Sequence, residues 1–192
     1  MKIIGITGAS GAGKSAFVEL LGLPVVDADK VARTVTEKGH ECLKKLAENF
    51  GDDIILADGT LVRKALARKA FATAEKTTLL NSITHPFIIE KIKNELEIHR
   101  KRGEKAVIVD APQLFEANAQ EFCDVVIGVL ADIDVRKRRI MLRDNIDEKT
   151  AQIRLKAGKS DEFFKTRCDK IIINNGELDK LKEEAEEILK LI

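Results

Sequence analysis

Gly8-Ala9-Ser10-Gly11-Ala12-Gly13-Lys14-Ser15 follows directly on the apolar stretch Lys2-Ile3-Ile4-Gly5-Ile6-Thr7. The spacing is G-x-x-x-x-G-K-[ST], the Walker A phosphate loop, set between a short strand and a helix that begins near Gly13. Small residues let successive backbone N–H groups turn inward around an anion, and the helix start adds the positive end of its dipole. Gly8, Ser10, Gly11, Ala12, Gly13, Lys14, Ser15 and Ala16 are therefore the candidate nucleotide contacts. In that reading Lys14 reaches the β- and γ-phosphates of ATP, and the Ser15 hydroxyl holds Mg²⁺. At average glycine usage the four fixed positions coincide by chance in a chain this long on the order of once in a hundred. Residues 11–16 also fit the dinucleotide form G-x-G-x-x-G/A, with Asp27 near the ribose position, but that reading has no use for Lys14-Ser15.

The 192 residues suffice for one core with small appended subdomains. No apolar run reaches membrane-spanning length, and Met1-Lys2 leads straight into a strand, which predicts no signal peptide. Cys42, Cys123 and Cys168 are odd in number and widely spaced, as incidental thiols of a reducing cytoplasm would be. Tyr and Trp are absent, which argues against a single-strand nucleic-acid surface of stacked aromatics.

Working outward, a helix over residues 14–21 is closed by Gly22, with Pro24 just beyond. A second, fully apolar strand ends in Asp27-Ala28-Asp29, where ligands bind in open α/β sheets. Asp29 reads either as a catalytic or Mg²⁺-associated acid or as the N-cap of the next helix. Residues 30–100 are mostly helical. Cys42, Leu43, Leu46, Ala47 and Phe50 share a face stopped by Gly51, and a helix over 61–74 places Leu66, Ala70 and Phe71 together. Another helix runs from 75 to a bend at His85-Pro86, and a solvated one covers 87–102. His85 is either a buried imidazole or a ligand-facing side chain before that bend. A third strand over 105–110 ends in Asp110, a Walker B position or else a solvated strand end. Strands over 125–130 and 170–174 follow, then the turn Asn174-Asn175-Gly176 and an amphipathic helix over 178–192 on Leu181, Ala185, Ile188 and Leu189.

The net charge of +1 conceals an asymmetry: residues 134–160 hold nine Lys or Arg against four acids, +5 locally and about −4 elsewhere. Such concentration aims positive charge at an anion. Helical spacing puts Arg136, Arg139 and Arg143 on one stripe, with Lys137 and Arg138 pointing elsewhere.

The chain resembles the dephospho-coenzyme A kinase family. The resemblance rests on residues 7–15, Val26-Asp27-Ala28-Asp29, Phe50-Gly51, Asp58-Gly59-Thr60-Leu61-Val62-Arg63, His85-Pro86, Pro112-Gln113-Leu114-Phe115-Glu116, Arg139-Ile140-Met141-Leu142-Arg143-Asp144 and Asp169 with Asn174-Asn175-Gly176. It implies transfer of the ATP γ-phosphate to the ribose 3′-hydroxyl of dephospho-CoA. It further implies that Asp29 takes the hydroxyl proton, that Arg139 is a lid arginine over the transferring phosphate, and that Thr7 is a polar residue beside the loop. Asp27, Arg63, His85 and Pro112 join Asp29 as acceptor-side candidates, while Arg136, Arg143, Asn175 and Gly176 join the nucleotide side. Ala9, Ala16, Gln113, Gly158 and a first helix about one turn short depart from the family pattern.

The expected architecture is an α/β P-loop NTPase fold, a five-stranded parallel sheet flanked by helices. Its core covers 1–29, 104–133 and 161–192, a helical acceptor subdomain 30–103, and a basic helical lid 134–160. The expected protein is a cytoplasmic, monomeric dephospho-CoA kinase acting on small molecules, with neither nucleic acid nor membrane as partner. Another small-metabolite or nucleoside monophosphate kinase is the alternative. A GTPase is disfavoured because neither N-K-x-D nor D-x-x-G occurs. A pure binding module would have no use for Lys14, Ser15, Asp29 and a basic lid together.

Overall fold

A computed structural model describes residues 1–190. In chain order the elements are β1 (Lys2–Gly8), α1 (Lys14–Leu21), β2 (Val25–Asp27), α2 (Ala28–Thr34), α3 (Glu41–Phe50), α4 (Arg63–Ala70), α5 (Ala74–Lys101) and β3 (Ala106–Asp110). They continue with β4 (Val125–Leu130), α6 (Ile133–Asp144), α7 (Glu148–Ala157), α8 (Asp161–Lys165), β5 (Lys170–Ile173) and α9 (Leu178–Lys190). The chain divides into two compact units, one of residues 1–25 with 99 onward, the other of residues 26–98.

The strands form one five-stranded parallel sheet in the order β2-β3-β1-β4-β5. β1 lies between β3 and β4, with Ile6 in register with Asp110 and Thr7 with Gly128. This order separates the fold from the dinucleotide-binding type, in which the second strand neighbours the first. It also brings the end of β3 beside the phosphate loop. Ile4, Ile6, Ile108, Ile127, Val129 and Ile172 are fully buried in the sheet, and Phe17, Leu21, Leu181, Ala185 and Ile188 pack from α1 and α9. Both faces are covered, which is why the inner strands read as unbroken apolar runs. Val25 breaks the rule: β2 is an edge strand, and Val25 is exposed. Gly5 and Gly128 leave room for the Cys123 and Cys168 sulfurs. Burial pushes those thiols up to about 12 and about 11, so neither is a nucleophile at neutral pH.

Within residues 26–98, α3 buries Cys42, Leu43, Leu46 and Phe50, with Gly51 ending it as expected. Ile54, Leu66 and Ala70 are also buried there, and Val62 N donates to Ile54 O at 2.7 Å. Two expectations fail. α4 stops at Ala70, and Phe71, just past its end, is exposed rather than sharing a buried face with Leu66. The bend at His85-Pro86 does not separate two helices: α5 runs through Pro86. Pro86 removes one N–H from the ladder, at a typical cost of ~3 kcal/mol. The buried positions Thr84, Ile92 and Leu96 lie on one helical face spanning the proline, so a single helix keeps all three inside. At the other end of the chain, Leu189 is partly exposed while Leu181, Ala185 and Ile188 carry the buried face of α9. The expected last two residues of that helix lie outside the described residues.

Candidate active site

The phosphate loop leaves β1 at Gly8, where an added Cβ would lie 2.2 Å from Val129 O. It enters α1 at Gly13, whose φ of 85° lies in the left-handed region. α1 has no side-chain cap and no acid in its first turn, unlike α2, α7 and α8, which have both. The N–H groups of Lys14, Ser15 and Ala16 open this helix without intrahelical acceptors, and its positive end carries no built-in anion. Ser10, Ser15 and Ala16 are exposed. The Ala12 N–H is used within the loop, donating to Ala9 O at 3.1 Å.

Lys14 does not stand free in solvent. Its ammonium pairs with the Asp110 carboxylate, and the two side chains are 17% and 16% exposed. Asp110 is thus neither a solvated strand end nor remote from the loop. The adjacency of β1 and β3 sets it there.

The outer side of the loop is held by three side chains. Arg136, 5% exposed, donates through Nε to Ser10 O at 3.0 Å and through Nη1 to Asp161 Oδ1 at 2.9 Å. Arg139 Nη1 reaches Gly11 O at 3.4 Å, Ala12 O at 3.1 Å and Asn174 O at 2.9 Å. Asn174 Nδ2 donates to Ala12 O at 2.9 Å and to Gly13 O at 3.5 Å. Three successive loop carbonyls, those of Ser10, Gly11 and Ala12, are therefore held by side chains, while Gly13 O also accepts from Phe17 N at 3.3 Å in the first bond of α1.

The arginine stripe does not act as a unit. Arg136 and Arg139 turn to the loop, but Arg143 is 63% exposed and forks onto its neighbour Asp144 at 2.8 and 3.0 Å. Its place in the last turn of α6 lets the following carboxylate capture it. Lys137 pairs with Glu148 and Asp134, away from the loop as expected.

Thr7 lies behind the loop, fully buried, its hydroxyl donating to Pro112 O at 3.3 Å. Asn175 ties the exit of β5 to that of β4, accepting from Asp132 N and donating to Asp132 Oδ2, both at 2.9 Å. Gly176 follows with φ 112°. In the other unit, α2 begins at Ala28, two residues earlier than a cap at Asp29 requires. Asp27 is the cap, accepting from Lys30 N at 3.0 Å, and Asp29 stands in the first turn. Arg63 opens α4, and His85 lies within α5.

Sequence reasoning gave no role to Asn174 or Asp161. Asn174 carried a signal: a polar residue closing the apolar run Ile171-Ile172-Ile173 at the carboxyl end of a strand of the parallel sheet. Asp161 carried none, because its partner is 25 residues away in sequence.

A lysine and an uncapped helix end beside this loop are suited to an anion. The family model described as Dephospho-CoA kinase matches residues 2–180. A dephospho-CoA kinase of Corynebacterium efficiens is 38% identical over 189 residues, covering 97% of this chain and 94% of that protein. One from Corynebacterium glutamicum is 39% identical over the same span. Among solved structures, a Thermus thermophilus protein superposes with a TM-score of 0.82 at 28% identity, covering 100% of this chain and 97% of that one. Dephospho-CoA kinase from Campylobacter jejuni superposes with a TM-score of 0.63 at 25% identity, covering 99% and 96%. An Acinetobacter baumannii shikimate kinase, 14% identical with a TM-score of 0.53, shares the fold alone. With the fold, the loop and near end-to-end matches in accord, the chain belongs to the dephospho-CoA kinase family.

Proposed function

We propose that the chain transfers the γ-phosphoryl group of ATP to the ribose 3′-hydroxyl of dephospho-CoA, yielding coenzyme A and ADP. The observation that carries the reading is the loop. Its carbonyls at Ser10, Gly11 and Ala12 are held by Arg136, Arg139 and Asn174, and the helix end it opens lacks any anion of its own. Phosphoryl transfer depends on positioning and on stabilising spread negative charge, which such a cradle supplies.

In the reaction, the 3′-oxygen bonds to the γ-phosphorus as the bond from that phosphorus to the β–γ bridging oxygen breaks. The hydroxyl proton passes to the Asp29 carboxylate. Lys14 exchanges Asp110 for the β- and γ-phosphates. Arg139 spends Nη1 on backbone carbonyls, while Nη2 carries one bond, 3.3 Å to Asn174 Oδ1, leaving capacity toward the transferring phosphate. Asp27, Arg63, His85 and Pro112 are the acceptor-side candidates, within a helical acceptor subdomain over 30–103. The segment 134–160 serves as the lid.

Ser15 offers a hydroxyl and Asp110 a carboxylate, both hard oxygen donors of the kind Mg²⁺ takes alongside nucleotide phosphates and water. Ser15 directly and Asp110 through water would hold the ion, which when bound neutralises charge developing on the phosphate oxygens. We read the protein as a cytoplasmic monomer acting on small molecules. Among the described residues no helix is long and apolar enough to cross a membrane.

The test is a panel of acceptors given with ATP and Mg²⁺. Dephospho-CoA should exceed every nucleoside monophosphate in kcat/KM by at least ~10²-fold, about 2.7 kcal/mol of discrimination. Comparable turnover of AMP or CMP would replace this assignment with a nucleotide kinase.

A further inference from the structure

We propose that Asn174 is a positioning residue for phosphate binding. Its carboxamide, together with Arg139, holds the Ala12 carbonyl on the outer side of the loop and so aims the Gly13 N–H at the nucleotide. The inference rests on the reading of the loop as the ATP site, but not on the identity of the acceptor.

The geometry is local and complete. Asn174 is 6% exposed and just past the end of β5, where its own N–H donates to Leu130 O at 2.8 Å. That bond continues the β4–β5 ladder, so the residue is fixed by the sheet rather than by a loop. Nδ2 faces Ala12 O at 2.9 Å and Gly13 O at 3.5 Å, and Oδ1 accepts from Arg139 Nη2 at 3.3 Å. The amide has one sensible orientation. Rotated by half a turn, it would set its oxygen against two carbonyl oxygens and its NH₂ against a guanidinium, neither of which can bond.

In a trans peptide the C=O and the following N–H point in opposite directions, and no cis peptide bond occurs among the described residues. Drawing Ala12 O outward therefore turns the Gly13 N–H inward, whereas Gly13 O is placed by α1 itself, accepting from Phe17 N at 3.3 Å. Gly13 completes the fit, because a Cβ there would fall 2.2 Å from Asn174 Nδ2. The second glycine of the motif thus makes room for the side chain that orients it. Aspartate would have the size without the donor.

The experiment measures ADP·Mg²⁺ affinity by calorimetry, with steady-state kinetics, in the full chain and in Asn174→Ala and Asn174→Asp. A misaimed donor should weaken ADP binding by roughly 10- to 100-fold in Asn174→Ala, the scale on which ångström misplacements act. KM for ATP should rise in parallel, with KM for dephospho-CoA within about twofold of wild type. Asn174→Asp keeps the size and the Arg139 partner but faces two carbonyls with an acceptor. It should be at least as impaired as Asn174→Ala. Wild-type ADP affinity in either variant, whatever the melting temperature does, overturns the proposal and leaves Asn174 a packing residue.

Should both variants fail to fold, the ¹⁵N side-chain amide signal of Asn174 in the unmodified protein decides. ADP·Mg²⁺ should shift it and dephospho-CoA alone should not; no shift with ADP overturns the proposal. A wild-type protein that binds ADP but ignores dephospho-CoA would instead refute the acceptor assignment alone.

Discussion

Arg136 and Arg143 lie on the same nominal stripe of α6 and should respond to truncation in opposite ways. Arg136 is 5% exposed and bonded to Ser10 O and Asp161, whereas Arg143 is 63% exposed and bonded to its neighbour Asp144. Arg136→Ala removes a charged donor from a loop carbonyl, a loss of about 1.5–3 kcal/mol. It also removes a buried stem of three methylenes at ~0.8 kcal/mol each. Against these stands relief of the guanidinium's desolvation, on the order of a few kcal/mol. Asp161, 44% exposed, rehydrates at little cost. The net loss is about 2–3 kcal/mol, which for a chain of this size lowers Tm by roughly 4–12 °C. Arg143→Ala breaks a solvated pair and should cost under ~1 kcal/mol. Scanning calorimetry of the two variants beside wild type makes the comparison. Equal melting temperatures in the two would show that Arg136 does not brace the loop.

Lys14→Ala should reduce transfer by at least ~10²-fold with circular dichroism unchanged, since its partner Asp110 belongs to the site and not to the core; near-normal turnover would remove the loop from the chemistry. Asp29→Asn should lower kcat by ~10²–10⁴-fold at nearly constant Tm. Asp27→Ala, the true cap of α2, should instead cost about 1 kcal/mol of stability; thermal melts and kinetics of the pair test the division. Hydrogen bonding from Arg143 holds the Asp144 carboxyl below its ordinary value. A depressed carboxyl adds stability that is complete above the ordinary aspartate range near pH 4 and is lost as pH falls below it. Acid unfolding of Asp144→Asn should accordingly be shallower below about pH 4 than that of wild type, and superimposable acid limbs would show that the pair contributes nothing.

Much of this molecule follows from local chemistry, and those parts were legible without coordinates. The loop, the exact extent of α1, the stop at Gly51 and the β4 strand depend on neighbours in sequence: glycine's positive φ, helix starts and stops, and unbroken apolar runs. The Walker A spacing was legible as well, and the loop it marks opens α1 at Gly13. Where a local rule met burial, burial prevailed. Pro86 reads locally as a break, yet Thr84, Ile92 and Leu96 keep α5 whole; Phe71 reads by periodicity as core, yet it falls beyond the last turn of α4 and lies exposed.

What sequence alone could not decide was which side chains meet across the sheet. Helical spacing grouped three arginines, but it specifies a face and not its surroundings. Tertiary packing buried Arg136, set Arg139 on the loop carbonyls and left Arg143 to Asp144. The strand order decided the rest. Only with β3 beside β1 does Asp110 reach Lys14, and only with β5 outside β4 does Asn174 come from 162 residues away to hold Ala12 O. The motif dictates a loop able to hold phosphate. The direction in which the Ala12–Gly13 peptide faces depends on partners distant in sequence, because a peptide plane turns toward whatever bonds its carbonyl.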